Sequence, residues 1–207
     1  MLKRSILVVV LFLYHSWSPA DQVFDGLNRF FTEVTTLDTA FYQQVFDEAG
    51  NSIQRSQGRL KLFRPGRFRW EYVTPSAQLI LADGRNLWIY DVELEQATVK
   101  PITEMLGATP ITLLTELRPL EDEFIIEPAG ERAGLSWVQL TPRTQDTEFN
   151  RVELGLKGNQ VRQMELRDQF GQKTVIRFEG MKTNLPLSNS EFQFDVPAGV
   201  DVIGVAQ

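Results

Sequence analysis

The chain has 207 residues, with 27 acidic against 21 basic side chains, no cysteine and one histidine. That acidic excess repels a polyphosphate and counts against a nucleic-acid partner, and the missing thiols exclude disulfides and cysteine nucleophiles. The one histidine, His15, lies in a leader, so the rest has no imidazole for a Ser-His-Asp triad or for a zinc site of imidazole and thiolate.

Residues 1–20 read as a secretory signal peptide. Lys3 and Arg4 form the charged start, 6–14 the apolar core, and Ser18-Pro19-Ala20 a small-residue cleavage site. The apolar core is shorter than the about 20 residues that span a bilayer. Cleavage after Ala20 would leave 187 residues with a formal charge of −8, enough for one domain over 21–207. A domain of that size buries roughly 70% of its unfolded surface and needs no disulfide staple. Without an N-terminal cysteine to carry lipid, the expected product is exported, soluble and untethered. The sequence holds no P-loop, glycine-rich dinucleotide turn or EF-hand spacing.

The first predicted element is an amphipathic helix over 21–34. Val23, Phe24, Leu27, Phe30, Phe31 and Val34 recur at helical spacing, with Asp21 placed as N-cap. Period-two patterns then predict strands over 41–46, 53–63, 67–73, 78–82, 87–91 and 98–100. They resume over 124–127, 135–141, 149–156, 161–168 and 173–179. Turns at Asp47-Glu48-Ala49-Gly50-Asn51, Asp83-Gly84, Lys157-Gly158-Asn159 and Phe170-Gly171-Gln172 separate several of them. So many strands at about ten-residue spacing predict a barrel or a strongly curved antiparallel sheet.

Two stretches depart from that rhythm. In Arg64-Pro65-Gly66-Arg67-Phe68-Arg69-Trp70-Glu71-Tyr72 a tight turn leads into a strand whose alternation puts Phe68, Trp70 and Tyr72 on one face. Arg67, Arg69 and Glu71 fall on the other. Residues 102–117 then break the strand pattern. Thr109 is a good N-cap, Pro110 suits the first helical position, and Ile111, Leu113, Leu114 and Leu117 share one helical side before Arg118-Pro119 ends it. Two apolar helices on one curved sheet fit either an α+β sandwich with a filled core or a half-barrel whose cover encloses an apolar cavity.

The order of these landmarks resembles the LolA family of periplasmic outer-membrane lipoprotein carriers. The matching pieces are Gly58-Arg59-Leu60, Arg64 to Trp70, Asp83-Gly84, Leu87-Trp88-Ile89-Tyr90-Asp91, Glu95-Gln96-Ala97-Thr98, Gly107-Ala108-Thr109-Pro110 and Phe192-Gln193-Phe194 with Val196-Pro197. The resemblance implies a mainly β (α+β) fold: an unclosed, strongly curved antiparallel β-barrel with an N-terminal helix and a short helical lid over an apolar cavity. It also implies a soluble periplasmic chaperone, not an enzyme. Such a carrier would take acylated lipoproteins from an inner-membrane lipoprotein-releasing ABC transporter to an outer-membrane acceptor. The transporter would supply the loading energy, no cofactor is implied, and a monomer is expected. By position, Leu27, Phe31, Phe68, Trp70, Leu113 and Leu114 match the wall of the acyl cavity, and Arg64 matches a gating tie to the lid.

Plainer readings stand beside these. Phe68 and Trp70 can be ordinary core, Leu113 and Leu114 likewise, and Arg64 a solvated turn residue. The outward Arg59, Lys61, Arg67 and Arg69 read as a solvated face, or as a docking surface for partners or anionic lipid. A lipid-binding or sensor module of the same fold is the nearest rival in function. A carboxylate glycosidase using Glu121, Asp122 and Glu123, or Glu93 and Glu95, is more remote, since it needs two carboxylates held across a cleft.

Overall fold

The computed structural model describes residues 19–104, 114–115, 120–144 and 147–207. Helix α1 (Pro19–Glu33) is followed by β1 (Thr36–Phe46), β2 (Ser52–Phe63), β3 (Arg67–Thr74), β4 (Gln78–Asp83), β5 (Asn86–Asp91) and β6 (Gln96–Pro101). After a 3-10 turn at Ile102–Glu104 come the single-turn helix α2 (Leu120–Glu123) and β7 (Phe124–Arg132), β8 (Leu135–Pro142), β9 (Phe149–Lys157), β10 (Gln160–Asp168) and β11 (Lys173–Thr183). A 3-10 turn at Asn189–Phe192 and β12 (Asp201–Ile203) close the chain.

The strands form one sheet in the order β12-β6-β5-β4-β3-β2-β1-β11-β10-β9-β8-β7. Its ends, β12 and β7, are both edges, so the curved sheet is an open barrel. Neighbours are hairpin partners except at two seams: β1 pairs antiparallel with β11, and β12 pairs parallel with β6. All eleven strands predicted from alternation are present, each longer than predicted. β12 was not predicted, because three exposed residues carry no alternating pattern. Helix α1 starts at Pro19, so Asp21 sits in its first turn rather than at the N-cap. The predicted helix over 109–117 lies outside the described residues except for Leu114 and Thr115, which are helical. Among the described residues no helix is long and apolar enough to cross a membrane.

The two faces of the sheet are built differently. One core joins the apolar face of α1 (Val23, Leu27, Phe30, Phe31) to inward residues from both halves of the sheet, among them Phe41, Leu60, Leu62, Phe68, Trp70, Leu140, Leu154 and Met164. Helix α1 lies over β7, β8, β9 and β10. On the outer face a smaller core of Leu79, Leu81, Trp88 and Val99 is covered by Phe194 from the C-terminal segment. That segment is anchored at Phe192, which is 1% exposed and packs edge-on against Phe63. It is also held where Gln207 N donates to Asn86 Oδ1 at 2.8 Å.

This strap alters the reading of the outward basic row. Lys61 pairs with Glu191, and Arg67 bonds Asn189 while stacking 3.8 Å from the Phe63 ring centroid. Arg69 pairs with Glu71. Arg59 makes a two-pronged contact with Asp38, at 2.6 and 2.7 Å. The hydrogen bonds and charge of Arg59 hold the Asp38 carboxyl below its ordinary pKa, and Lys61 does the same for Glu191. Lys61 and Arg67 are thus tied to the C-terminal strap, Arg69 to its own strand and Arg59 to β1, while Arg59 still faces solvent.

Candidate functional site

Helix α1 does not lie flush on the sheet along its whole length. Phe24, Leu27 and Phe31, spaced three and four residues apart, face Leu120 of α2 and Ile126 of β7 across a groove of about 500 Å³. Asp25, Asn28 and Glu121 form its polar rim. Leu27 is 5% exposed and Phe31 8%, so both belong to the core as well as to the groove. Gly26 is needed where the helix comes close to the sheet: a Cβ there would stand 2.4 Å from the carbonyl oxygen of Gly158 in the β9–β10 turn.

The aromatic wall of β3 belongs to the same core as the buried face of the helix. Phe68 pairs across the strands with Leu62 and Ala82, and Trp70 with Leu60 and Ile80. Both are buried, Phe68 completely. Phe41 of β1 joins them, its ring centroid 4.5 Å from that of Trp70 and 5.2 Å from that of Tyr72. The meeting depends on Gly58, whose pro-Cβ direction points within 2.9 Å of the Phe41 ring and 1.7 Å of the Glu71 carbonyl oxygen. A register shift at Gln57/Gly58 accommodates that close approach. Tyr72 donates its hydroxyl proton to Gln43 Oε1 at 3.0 Å, and burial raises the pKa of its phenol. Leu114 is buried in the same core as Phe68 and Trp70, while Leu113 lies outside the described residues.

Arg64 sits in the β2–β3 turn, where Gly66 adopts φ 71°. Rather than projecting into solvent, its guanidinium turns inward. Nη1 donates to the carbonyl oxygens of Phe30, Phe31 and Val34 at 2.8, 3.1 and 2.7 Å. Nε and Nη2 donate to the Leu114 carbonyl at 3.2 and 2.9 Å. The cation also stands 5.0 Å from the ring centroids of both Phe30 and Phe31. One side chain thus joins the strand turn, the end of α1 and the helical residue Leu114. Only a multi-donor planar fork can do this.

Of the residues singled out in the sequence, Leu27, Phe31, Phe68, Trp70 and Leu114 come together in one core, with Arg64 at its edge. Sequence reasoning missed Phe41, Leu120, Ile126 and Asn184, whose side chain bonds the Glu33 carbonyl at the end of α1. The spacing of Phe24, Leu27 and Phe31 carried a signal for the groove, whereas Ile126 on an edge strand carried none.

The sequence matches the family model "Outer membrane lipoprotein carrier protein LolA" over residues 32–195. An "Outer-membrane lipoprotein carrier protein" of Methylobacillus flagellatus is 38% identical over 97% of this chain and 98% of that one. One of the same description from Methylococcus capsulatus is 43% identical over 85% of each. Among solved structures, an uncharacterized conserved protein of Thermus thermophilus superposes with a TM-score of 0.56. It covers 87% of this chain and 96% of its own at 13% identity, a likeness of fold alone.

Proposed function

The chain belongs to the LolA family of outer membrane lipoprotein carriers, and from that premise we propose that it is a soluble periplasmic chaperone for the acyl chains of lipoproteins. In this reading residues 1–20 direct export and are removed, and the domain over 21–207 receives cargo from an inner-membrane ABC transporter and delivers it to an outer-membrane acceptor. It acts without catalysis.

The groove under α1 is the observation that carries the reading. Its apolar lining and polar rim suit a guest with hydrocarbon chains and a polar head. Leu27 and Phe31 of its lining share a core with the Phe68–Trp70 wall, which would become surface if that core opened. Each buried methylene is worth about 0.8 kcal/mol, so two acyl chains hold a lipoprotein almost irreversibly in a bilayer. A carrier must offer comparable apolar surroundings, because only the difference between membrane and carrier has to be overcome. A closed empty form adds a second property. The cost of opening weakens apparent binding and eases release to the next acceptor, and the Arg64 bonds to Leu114 and α1 would supply that cost. Inner-membrane vesicles energised with ATP test the reading. The protein lacking residues 1–20 should bring lipoproteins into the soluble fraction, and failure to release any would overturn it.

A further inference from the structure

The face of the sheet turned away from the core carries a cationic cleft of about 220 Å³, separate from the groove under α1. It lies along β1. Phe41 of that strand points into the core, so alternation puts Tyr42 and Gln44 on the opposite face. Register sets their neighbours: Tyr42 stands between Gln57 of β2 and Arg177 of β11, and Gln44 between Arg55 and Val175. Among the described residues no carboxylate lines the cleft, although the chain carries 27 acidic side chains. Glu165, opposite Val175 on β10, is already engaged by Arg132 and Gln163. The side chains of Tyr42, Arg55, Gln57 and Arg177 have no hydrogen-bond or ion-pair partner among the described residues. On the same face Arg59 and Arg69 are paired, with Asp38 and Glu71.

We propose that this cleft receives an extended acidic segment of a partner protein, with Arg55 and Arg177 each taking one of its carboxylates. Charge complementarity carries the choice: two exposed cations and unpaired amide and hydroxyl groups face outward where the chain supplies no anion of its own. Spacing agrees with it. Arg55 and Arg177 flank β1 on opposite sides and are two residues out of step, so their Cα atoms stand about 12 Å apart, offset by about 6.8 Å along the strand. That offset equals the advance between carboxylates at alternate positions of an extended peptide. Tyr42, 45% exposed, and Val175, 8% exposed, give the intervening side chain an apolar floor. A bilayer of anionic lipids fits less well, because a flat surface does not enter a cleft and would meet a chain of net charge −6.

The test titrates the protein at low salt with an end-blocked peptide of alternating Glu and Thr, and with its Gln–Thr counterpart, following backbone amide resonances. The Glu peptide should move resonances at 42–44, 55–57 and 175–177 in wild type, and added salt should weaken it. Arg55→Gln and Arg177→Gln should each lower its affinity about two- to fivefold, as exposed ion pairs allow, and the double replacement should lower it further. Both side chains are exposed, so the variants should melt as wild type does. Shifts elsewhere in wild type, no binding of the Glu peptide, equal binding of the Gln peptide, or a double variant that binds as wild type does would each overturn the proposal. Inorganic phosphate and phosphatidylglycerol vesicles complete the comparison. If either competes for the same resonances at lower concentration than the Glu peptide, the arginines hold a phosphate group instead, and the acidic-segment proposal falls.

Discussion

Arg64 and Asn184 stand 120 positions apart in the chain and close the same end of helix α1. Arg64 takes the carbonyls of Phe30, Phe31 and Val34, while Asn184 Nδ2 donates to the Glu33 carbonyl at 3.0 Å and its Oδ1 accepts from Thr35 N at 2.9 Å. The last carbonyls of a helix have no intrahelical partner, and here two side chains from opposite halves of the sheet provide them. Asn184 does so from a left-handed backbone, φ 57°, which asparagine tolerates better than most residues. The two differ in reach: Arg64 also holds Leu114.

That difference gives a paired prediction. Asn184→Ala should lower stability by about 1 kcal/mol and leave cargo hand-off unchanged. Arg64→Leu should cost about 2 kcal/mol, since it strands several carbonyls at a half-buried site, and lower Tm by roughly 4–8 °C for a domain of this size. It should also retain lipoprotein that wild type passes to acceptor membranes. Arg64→Lys should resemble Leu more than wild type, because an ammonium cannot serve both helix segments at once. Thermal melts and transfer from loaded protein measure the two effects separately. Equal hand-off by Arg64→Leu and wild type would leave Arg64 a helix cap and nothing more.

Phe68→Glu should be carried by the fold, not by cargo binding alone. Phe68 is fully buried between Leu62 and Ala82 in the closed form, so an unpaired carboxylate there costs several kcal/mol. Burial raises the pKa of the new carboxyl above its unfolded value. The variant should therefore be least impaired at low pH and lose stability as pH rises through the folded-state pKa. Urea midpoints at acid and neutral pH read this directly. A pH-independent, wild-type midpoint would mean that position 68 is open to solvent in the empty protein.

The strands were legible because alternation is local: Phe68, Trp70 and Tyr72 against Arg67, Arg69 and Glu71 already state which side of β3 is buried. The ties of Arg64 to α1 and Leu114 were expected only from the resemblance. From the residues it looks like a turn-edge arginine with little part in the core, because its carbonyl partners lie at least 30 positions away in either direction. Asn184 and the Phe192–Phe194 strap were hidden for the same reason. Satisfaction of a helix end by a distant strand leaves no periodic trace in either segment. Lys61 and Arg67 gave no sign of their strap partners, because a charged row looks the same whether water or a C-terminal segment covers it.

Acid should expose the Asp38–Arg59 clamp. The folded-state pKa of Asp38 is depressed, chiefly by its hydrogen bonds to Arg59, with Lys61 and Lys182 adding attraction. A depressed carboxyl contributes stability that is complete above its unfolded pKa, near pH 4. That contribution disappears as pH falls through the folded value. Wild type should lose stability steadily below about pH 4, and Asp38→Asn should be less stable at neutral pH with a shallower acid slope. Denaturant midpoints across pH 2–7 check this, and parallel curves for the two proteins would remove Asp38 from the account.

Gly26 offers a test of how α1 is seated, because two effects of known size oppose each other there. In a helix interior Ala is better than Gly by up to about 1 kcal/mol. An alanine Cβ, however, would stand 2.4 Å from Gly158 O and 3.4 Å from its carbonyl carbon, backbone atoms that cannot turn aside like a side chain. The helix must then rise from the β9–β10 turn by several tenths of an ångström or more, loosening contacts made by Leu27 and Val23 in the core. Overpacking of this kind costs typically about 1–3 kcal/mol, enough to outweigh the propensity gain. Gly26→Ala should therefore be destabilised, with faster hydrogen exchange along α1 and little change in β1–β5. It should also bind an acyl probe faster, because the helix that lines the groove is already partly lifted. A variant more stable than wild type, with α1 protected as before, would show that the helix can accept the methyl group and is not held against Gly158.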